Sequence, residues 1–282
     1  GRAMAFYIKV LEITGLYTIM VLSVYLMTGL TGLFSLGQGA FVLIGAYTAA
    51  VAYLRFHVPF PLTLPIAVAV GAFLGFLIGL PTLRLRRDFF LLVTFGFGEM
   101  TRAALLHLSQ LTGGSLGMAG IPKRVGLPLL LGSIAVIIFI TANLKRSRFG
   151  RDCIAIRNDE MAAGMMGINV YRQKIKVFVI SSAITSYGGA LYAFIVMFIE
   201  PNLFDWLESA KLIVITFVGG LNSLTGVVLT SLIYYTFGEF FRFIDVWRDV
   251  LLAFVVLLTT IFRPNGIFGD WELSLRGLAR RR

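Results

Sequence analysis

KRSRFGRDCIAIRNDEMAAGMMGINVYRQKIK, residues 145–176, is the stretch on which the reading of this chain turns. It is long, basic and mostly polar, with a short apolar helix in its middle, and the sequence on either side of it reads as membrane. Polar backbone cannot stand loose in hydrocarbon, so the segment belongs in water, and its Lys and Arg place it in the cytoplasm. Asn158 is a good helix N-cap, and Asp159 and Glu160 fall in the first turn, where the positive helix end favours acids. Met161, Ala162, Ala163, Gly164, Met165 and Met166 follow, and Gly167 stands where a glycine ends a helix. Ile154, Met161, Met165 and Ile168 are expected on one stripe. The small residues 162–164 permit close approach, and methionine fills irregular grooves. A helix lying on the membrane surface would share some of these features; the sharper expectation is a helix offered to a protein partner.

Composition supports the membrane reading. Only 14% of the 282 residues are charged and 58% are hydrophobic, whereas a soluble domain carries about a quarter charged residues. The net charge of +11 invites a nucleic-acid reading, but its distribution argues otherwise. The cations gather at Arg84, Arg86 and Arg87, at Lys145 to Lys176, and at Arg263, Arg276, Arg280, Arg281 and Arg282, all between or after apolar runs. Positive-inside topology produces that pattern, so membrane lipid and not nucleic acid is the expected surroundings. A single cysteine, Cys153, and two distant histidines, His57 and His107, leave no disulfide and no metal cluster to expect. The N-terminal run lacks a small-residue cleavage site and reads as a retained span.

A spanning helix needs about 20 apolar residues. Ile8–Thr28, Phe60–Leu83, Phe89–Leu108, Leu127–Leu144 and Val177–Ile199 meet or approach that length, while Gly29–Phe41 is glycine-rich and carries Gln38 at membrane depth. If Arg84–Arg87 and Lys145–Lys176 share the inner side, the loop Leu111–Arg124 lies outside, with Lys123 and Arg124 against the trend. Beyond Ile199 a simple count would leave the arginine-rich tail outside. VGGLNSLTG (Val218–Gly226) supplies a remedy: a break there adds a reversal and restores a cytoplasmic tail. The expectation is an all-α, polytopic inner-membrane helical bundle, one permease domain over 1–282, with about 8 hydrophobic passes. Broken or re-entrant elements are expected near 29–41 and 218–226, and residues 264–282 form a cytoplasmic tail. GLFSL (Gly32–Leu36) and GLNSL (Gly220–Leu224) look alike, as paired interruptions in repeat-built transporters do.

For a solute path, breaks offer carbonyls and amides that can contact a zwitterion without a fixed charge. The candidates are Ser35, Gly37, Gln38, Gly39, Gly96, Gly98, Glu99, Gly219, Gly220, Asn222 and Ser223. Glu99 sits mid-run with Arg102 one turn later, so the two can neutralise each other. A self-sufficient secondary transporter or channel would instead use Glu99, Arg102 and His107 as a proton relay. An intramembrane enzyme built on Glu99 and His107 fails on distance, since eight residues of helix span about 12 Å.

The motifs TGLTGLFSLGQGAFVLIGAYTAA (28–50), PTLRLRRDFFLLVTFGFGEMTR (81–102), LTGGSLGMAGIP (111–122), SRFGRDCIAIRNDEMAAGMMGINVYRQK (147–174), VGGLNSLTG (218–226) and FRPNGIFG (262–269) resemble the LivM-type permease subunits of branched-chain amino-acid ABC importers. The RDFFLLVTFGFGE pattern favours that type over its sister permease. The resemblance implies a bacterial or archaeal plasma-membrane importer for amino acids or other small polar solutes, working by alternating access. It also implies a LivH-like sister permease, two ATP-binding subunits carrying ATP and Mg, and an external solute-binding protein, for which the loop 112–122 and Glu200–Ser209 are available. The chain itself has no G-x-x-x-x-G-K-[ST] loop to cradle phosphates, so no cofactor and no catalytic residue is expected on it. Residues 158–167 then correspond to the coupling helix. Importers of this kind often show E-A-A-x-x-x-G there; here Met161 is an extra residue between Glu160 and the alanines, which opens a capping role for Glu160.

Overall fold

The computed structural model describes residues 2–85 and 87–240 and, beyond them, only 250, 254, 257, 258, 262, 266, 267 and 269. Arg86, most of the apolar run 250–262 and all but three positions of the tail expected over 264–282 lie outside the described residues.

The chain runs as α1 (Arg2–Val24), α2 (Gln38–Leu54), α3 (Phe60–Thr82), α4 (Arg87–His107), α5 (Ser109–Thr112), α6 (Leu127–Arg146), α7 (Arg148–Asn158), α8 (Glu160–Met165), α9 (Val170–Val196), α10 (Trp206–Gly219) and α11 (Leu224–Phe240). Two-residue strands, β1 (Met118–Ala119) and β2 (Phe198–Ile199), pair antiparallel. Five helices among the described residues are long and apolar enough to cross a membrane: 4–29, 60–82, 89–107, 127–146 and 170–196. Among the described residues the bundle is all-α apart from one short ladder.

Helix α9 is the axis of the packing, with α1, α2 and α3 against it. Small residues allow this. A Cβ added at Gly45 would fall 1.9 Å from the Ser186 carbonyl, and one at Gly189 would fall 2.1 Å from the Val42 carbonyl. Helices without a hydrophobic drive between them associate through such close backbone approach and through polar side chains. The polar part is here too. Gln38 Nε2 donates to Ser181 Oγ (3.2 Å), Thr185 Oγ1 donates to Gln38 Oε1 (2.7 Å), and Thr185 and Ser23 hydroxyls meet at 2.7 Å. All four residues are buried, so this network joins α1, α2 and α9 with its members satisfied.

The helices alternate in direction, so the bundle has two ends. At one, Lys123 Nζ pairs with the buried Glu12 carboxylate (2.8 Å) and Arg124 reaches the Tyr53 hydroxyl (3.1 Å). Arg55 donates to the Gln110 carbonyl (2.8 Å), and the β1–β2 ladder ties the glycine-rich loop to the end of α9. These partners account for Lys123 and Arg124 standing against the charge trend. At the other end lie α7 and α8, with Arg84 against the Tyr171 ring at 5.3 Å and Tyr171 donating to the Leu80 carbonyl (2.6 Å). Arg84 and the 145–176 segment therefore share one end, and the 111–124 loop occupies the opposite one.

Candidate functional site: a docked helix pair beside two helix breaks

The polar segment carries two helices where the sequence pattern suggested one. Ser147 caps α7, its side chain accepting the Gly150 N–H (3.3 Å), and Gly150, Cys153 and Ile156 form a buried i, i+3, i+6 stripe. Cys153 is a buried core residue: burial, then the Asp152 charge, push its thiol up to about 12, with Lys176 opposing.

Asp159 separates the helices and corrects the expected capping. Asn158 is the last residue of α7, and the cap of α8 is Asp159, whose Oδ1 accepts the N–H groups of Met161 and Ala162, both at 2.9 Å. Asp159 lies extended (φ −153°, ψ 111°), the backbone a cap requires. At the far end, Gly167 has φ +84°, which a side chain would resist. Its N–H bonds to the Gly164 carbonyl (3.1 Å) and the Ile168 N–H to the Ala163 carbonyl (3.2 Å), a complete Schellman ending.

Helix α8 is fixed to the bundle at two points. Ala163 is buried, and Glu160 Oε1 lies 2.6 Å from Lys174 Nζ on α9. The Lys174 side chain is only 5% exposed, so a carboxylate is needed to hold its charge there. Glu160 is thus an internal anchor, at the head of the first turn and not the cap. The remaining face points away. Met161, Met165 and Met166 are 82%, 83% and 84% exposed, and nothing lies within 4 Å of a Cβ added at Gly164. The expected single stripe therefore splits: Ile154 packs inward on α7, while the methionines stand out from α8.

Two helix breaks lie directly beside α7. The first begins with a π-helical turn, Tyr25–Gly29, continues through Gly32 (φ +67°), and ends where α2 starts at Gln38. The second separates α10 from α11 at Gly220 (φ +105°). The two similar pentapeptides thus open on the same feature, a glycine in a backbone conformation that side chains rarely adopt. Both breaks are narrower than their sequence windows: 32–37 and 220–223 lie outside helix. Arg157, the penultimate residue of α7, joins them. Its Nη1 donates to the Gly29 carbonyl and to the Leu221 carbonyl (3.3 Å), and its Nη2 donates to Asn222 Oδ1 (2.5 Å). Lys145 donates to the Asn222 carbonyl. The second break is therefore at the α7–α8 end of the bundle.

The candidate path residues divide. Ser35, Gly37, Gln38 and Gly39 are buried, Gly37 against the Thr94 carbonyl and Gly39 against Phe204 and Ser209. Gly219 and Ser223 are buried, Gly219 against Val227 of α11, and Ser223 Oγ accepts the Gly226 N–H at 2.9 Å. Asn222 is exposed, as is Gly96, with nothing within 4 Å of an added Cβ; Gly98 approaches the Leu36 carbonyl. Glu99 and Arg102 pair at 2.6 Å, Arg102 also lies 3.4 Å from Asn202 Oδ1, and His107 is exposed at the end of α4. Arg157, Lys145 and Lys174 were missed as site residues by the sequence reading. The available signal was Arg157 standing next to the last residue of the buried α7 stripe.

The chain is 32% identical to the high-affinity branched-chain amino acid transport system permease protein LivM of Escherichia coli K12, over 92% of this chain and 69% of that one. The family model for the branched-chain amino acid transport system permease component matches residues 6–260. The chain belongs to this permease family. The LivH permease protein of Escherichia coli K12 is also similar, 28% identical over 51% of this chain and 46% of its own. The pseudomonad permease protein BraD from Pseudomonas aeruginosa is 29% identical over 49% and 46%. The longer and stronger similarity to LivM agrees with the RDFFLLVTFGFGE pattern of α4. No solved structure matches the chain. As a family member the protein is a multi-pass membrane permease, and the α7–α8 segment and the two breaks are features of a permease fold.

Proposed function

We propose that this permease is the LivM-type half of an ATP-driven importer of amino acids, with branched-chain amino acids the favoured class. α8 is the coupling helix through which a separate ATP-hydrolysing subunit acts. The observation that carries the reading is the exposed face of α8: three methionines stand clear beside an open Gly164, on a helix capped at both ends and anchored by Glu160 and Ala163. A fold that fixes six residues so firmly and leaves their apolar side bare is built to be covered. Adaptable methionines suit a groove in a partner.

The remaining parts follow from that division of labour. A sister permease of LivH type completes the translocation path, two ATP-binding subunits carry ATP and Mg, and a soluble solute-binding protein meets the opposite end, near 112–122 and 200–209. The α7–α8 end is cytoplasmic, in a bacterial or archaeal plasma membrane. The C-terminal tail is on that side as well; support comes from the Ile267 N–H, which donates to the Val218 carbonyl at 2.9 Å, beside the second break. The solute path uses the breaks and α4, including Ser35, Gly37, Gln38, Gly39, Gly96, Gly98, Glu99, Gly219, Gly220, Asn222 and Ser223.

Gly164→Trp tests the reading better than Ala163→Glu, because Ala163 is buried in its own chain and its loss disturbs folding. In proteoliposomes holding the complete complex, Gly164→Trp should lower solute uptake and solute-stimulated ATP hydrolysis by about 30-fold, the effect of losing a contact of roughly 2 kcal/mol. Permease content of the membrane should not change. Wild-type uptake and hydrolysis in this variant would contradict the proposal.

A further inference from the structure

We propose that Arg157 is the positioning residue that carries displacement of α8 to the helix breaks. The inference rests on the reading of α8 as the coupling helix and deepens it by naming the route. From one side chain, Arg157 donates to the Gly29 carbonyl of the first break, to the Leu221 carbonyl of the second (3.3 Å), and to Asn222 Oδ1 (2.5 Å). Its stem lies on Gly32, where an added Cβ would fall 2.8 Å from Arg157 Cγ. The breaks also touch one another: a Cβ at Gly29 would lie 3.2 Å from the Leu221 carbonyl.

This geometry has three consequences. Helix ends and the loops that follow them present carbonyls that no helix satisfies, and here Gly29 of the π-turn and Leu221 of the loop after α10 share one guanidinium. A planar fork with several donors can do this; a lysine ammonium, a point charge on a flexible stem, holds neither the same angles nor the same number of acceptors. The route back to α8 is short. Arg157 precedes Asn158, the last residue of α7, and Asp159 alone separates α7 from α8. Because α7 is seated by Gly150, Cys153 and Ile156, a push on α8 rotates or shifts α7 as a unit, and Arg157 then moves both breaks together. Lys145, which donates to the Asn222 carbonyl, gives the second break a further tie to the base of α6. Coupling of this kind travels through contiguous contacts between elements that have two arrangements; on this proposal the two breaks are those elements.

The test uses the complete complex in proteoliposomes, comparing the number of solute molecules imported per ATP hydrolysed. Arg157→Lys and Asn222→Ala are the informative variants, the second at an exposed position where folding is not at risk. Arg157→Lys should keep ATP hydrolysis within a factor of two of wild type while the import ratio falls about tenfold, in the range of energetic coupling between sites. Asn222→Ala should lower the ratio in the same direction and by less. Uptake and hydrolysis falling in parallel would make Arg157 a merely structural residue and overturn the proposal, and so would an unchanged ratio. Gly164→Trp separates this failure from that of the functional reading. If Gly164→Trp is silent, α8 is not the motor contact; if Gly164→Trp blocks both activities while Arg157→Lys leaves the ratio intact, only the Arg157 route is wrong.

Discussion

Glu160 and Lys174 meet at 2.6 Å with the lysine almost wholly buried, so the pair's value lies in what its rupture would leave behind. Glu160→Gln strands the Lys174 ammonium without a counter-charge. It should destabilise the α8–α9 contact by about 2 kcal/mol, the worth of a hydrogen bond to a charged group; hydrogen exchange at residues 159–168 measures the loss. Cys153 offers a second check at this scale. Its thiol is raised from an ordinary 9.0 to about 12, chiefly by burial, so it stays protonated and inert while folded. A maleimide at pH 7.5 should label it only after denaturation. The sign of the stability effect follows from linkage. Below about pH 9 the thiol is neutral in both states and contributes no pH dependence; between 9 and 12 it ionises only when unfolded, so stability falls as pH rises. Rapid labelling of the native protein at pH 7.5 would show that the α7 stripe is not seated as described.

At the scale of elements, α8 depends on its ending. Gly167 at φ +84° tolerates no β-branched side chain without strain, and Gly167→Val should cost about 1–2 kcal/mol or more, seen as faster proteolysis between α8 and α9. Much of the element map was legible beforehand. The apolar runs over 60–83, 89–108 and 127–144 match α3, α4 and α6 to within two residues, because hydropathy is a local property. What could not be read was set by partners elsewhere in the chain. α7 was hidden because its buried stripe of Gly150, Cys153 and Ile156 is interleaved with Arg148, Arg151 and Arg157, so its periodicity is drowned by charge. α9 begins at Val170 and not at Val177: Asn169 caps it by accepting the Arg172 N–H, and its polar first turns, with Lys174 held by Glu160, escape a count of apolar residues. Asp159 and Asn158 are equally good caps in isolation; the end of α7 decides between them. The two breaks were visible as similar pentapeptides that each open on a glycine, but the positive φ of both glycines and the meeting of the breaks at Arg157 belong to the folded chain.

The whole molecule has its small-residue packing around α9, a charged and looped end held by Glu12–Lys123 and β1–β2, and an opposite end where α7, α8 and both breaks converge. A reporter fused after Arg282 should be found on the same side of the membrane as one inserted at Gly164, as the Ile267–Val218 hydrogen bond leads us to propose, and reporters on opposite sides would contradict that proposal. On the proposed reading, the same division of ends gives this chain a route for the solute and a handle for a motor, with energy supplied by a separate subunit. That claim is tested most directly by measuring uptake of a labelled branched-chain amino acid, in the presence of its binding protein, into proteoliposomes containing the two permeases with and without the ATP-hydrolysing subunits. Accumulation against a gradient that appears only with those subunits and ATP is the predicted result. Equal accumulation by the permeases alone would contradict it.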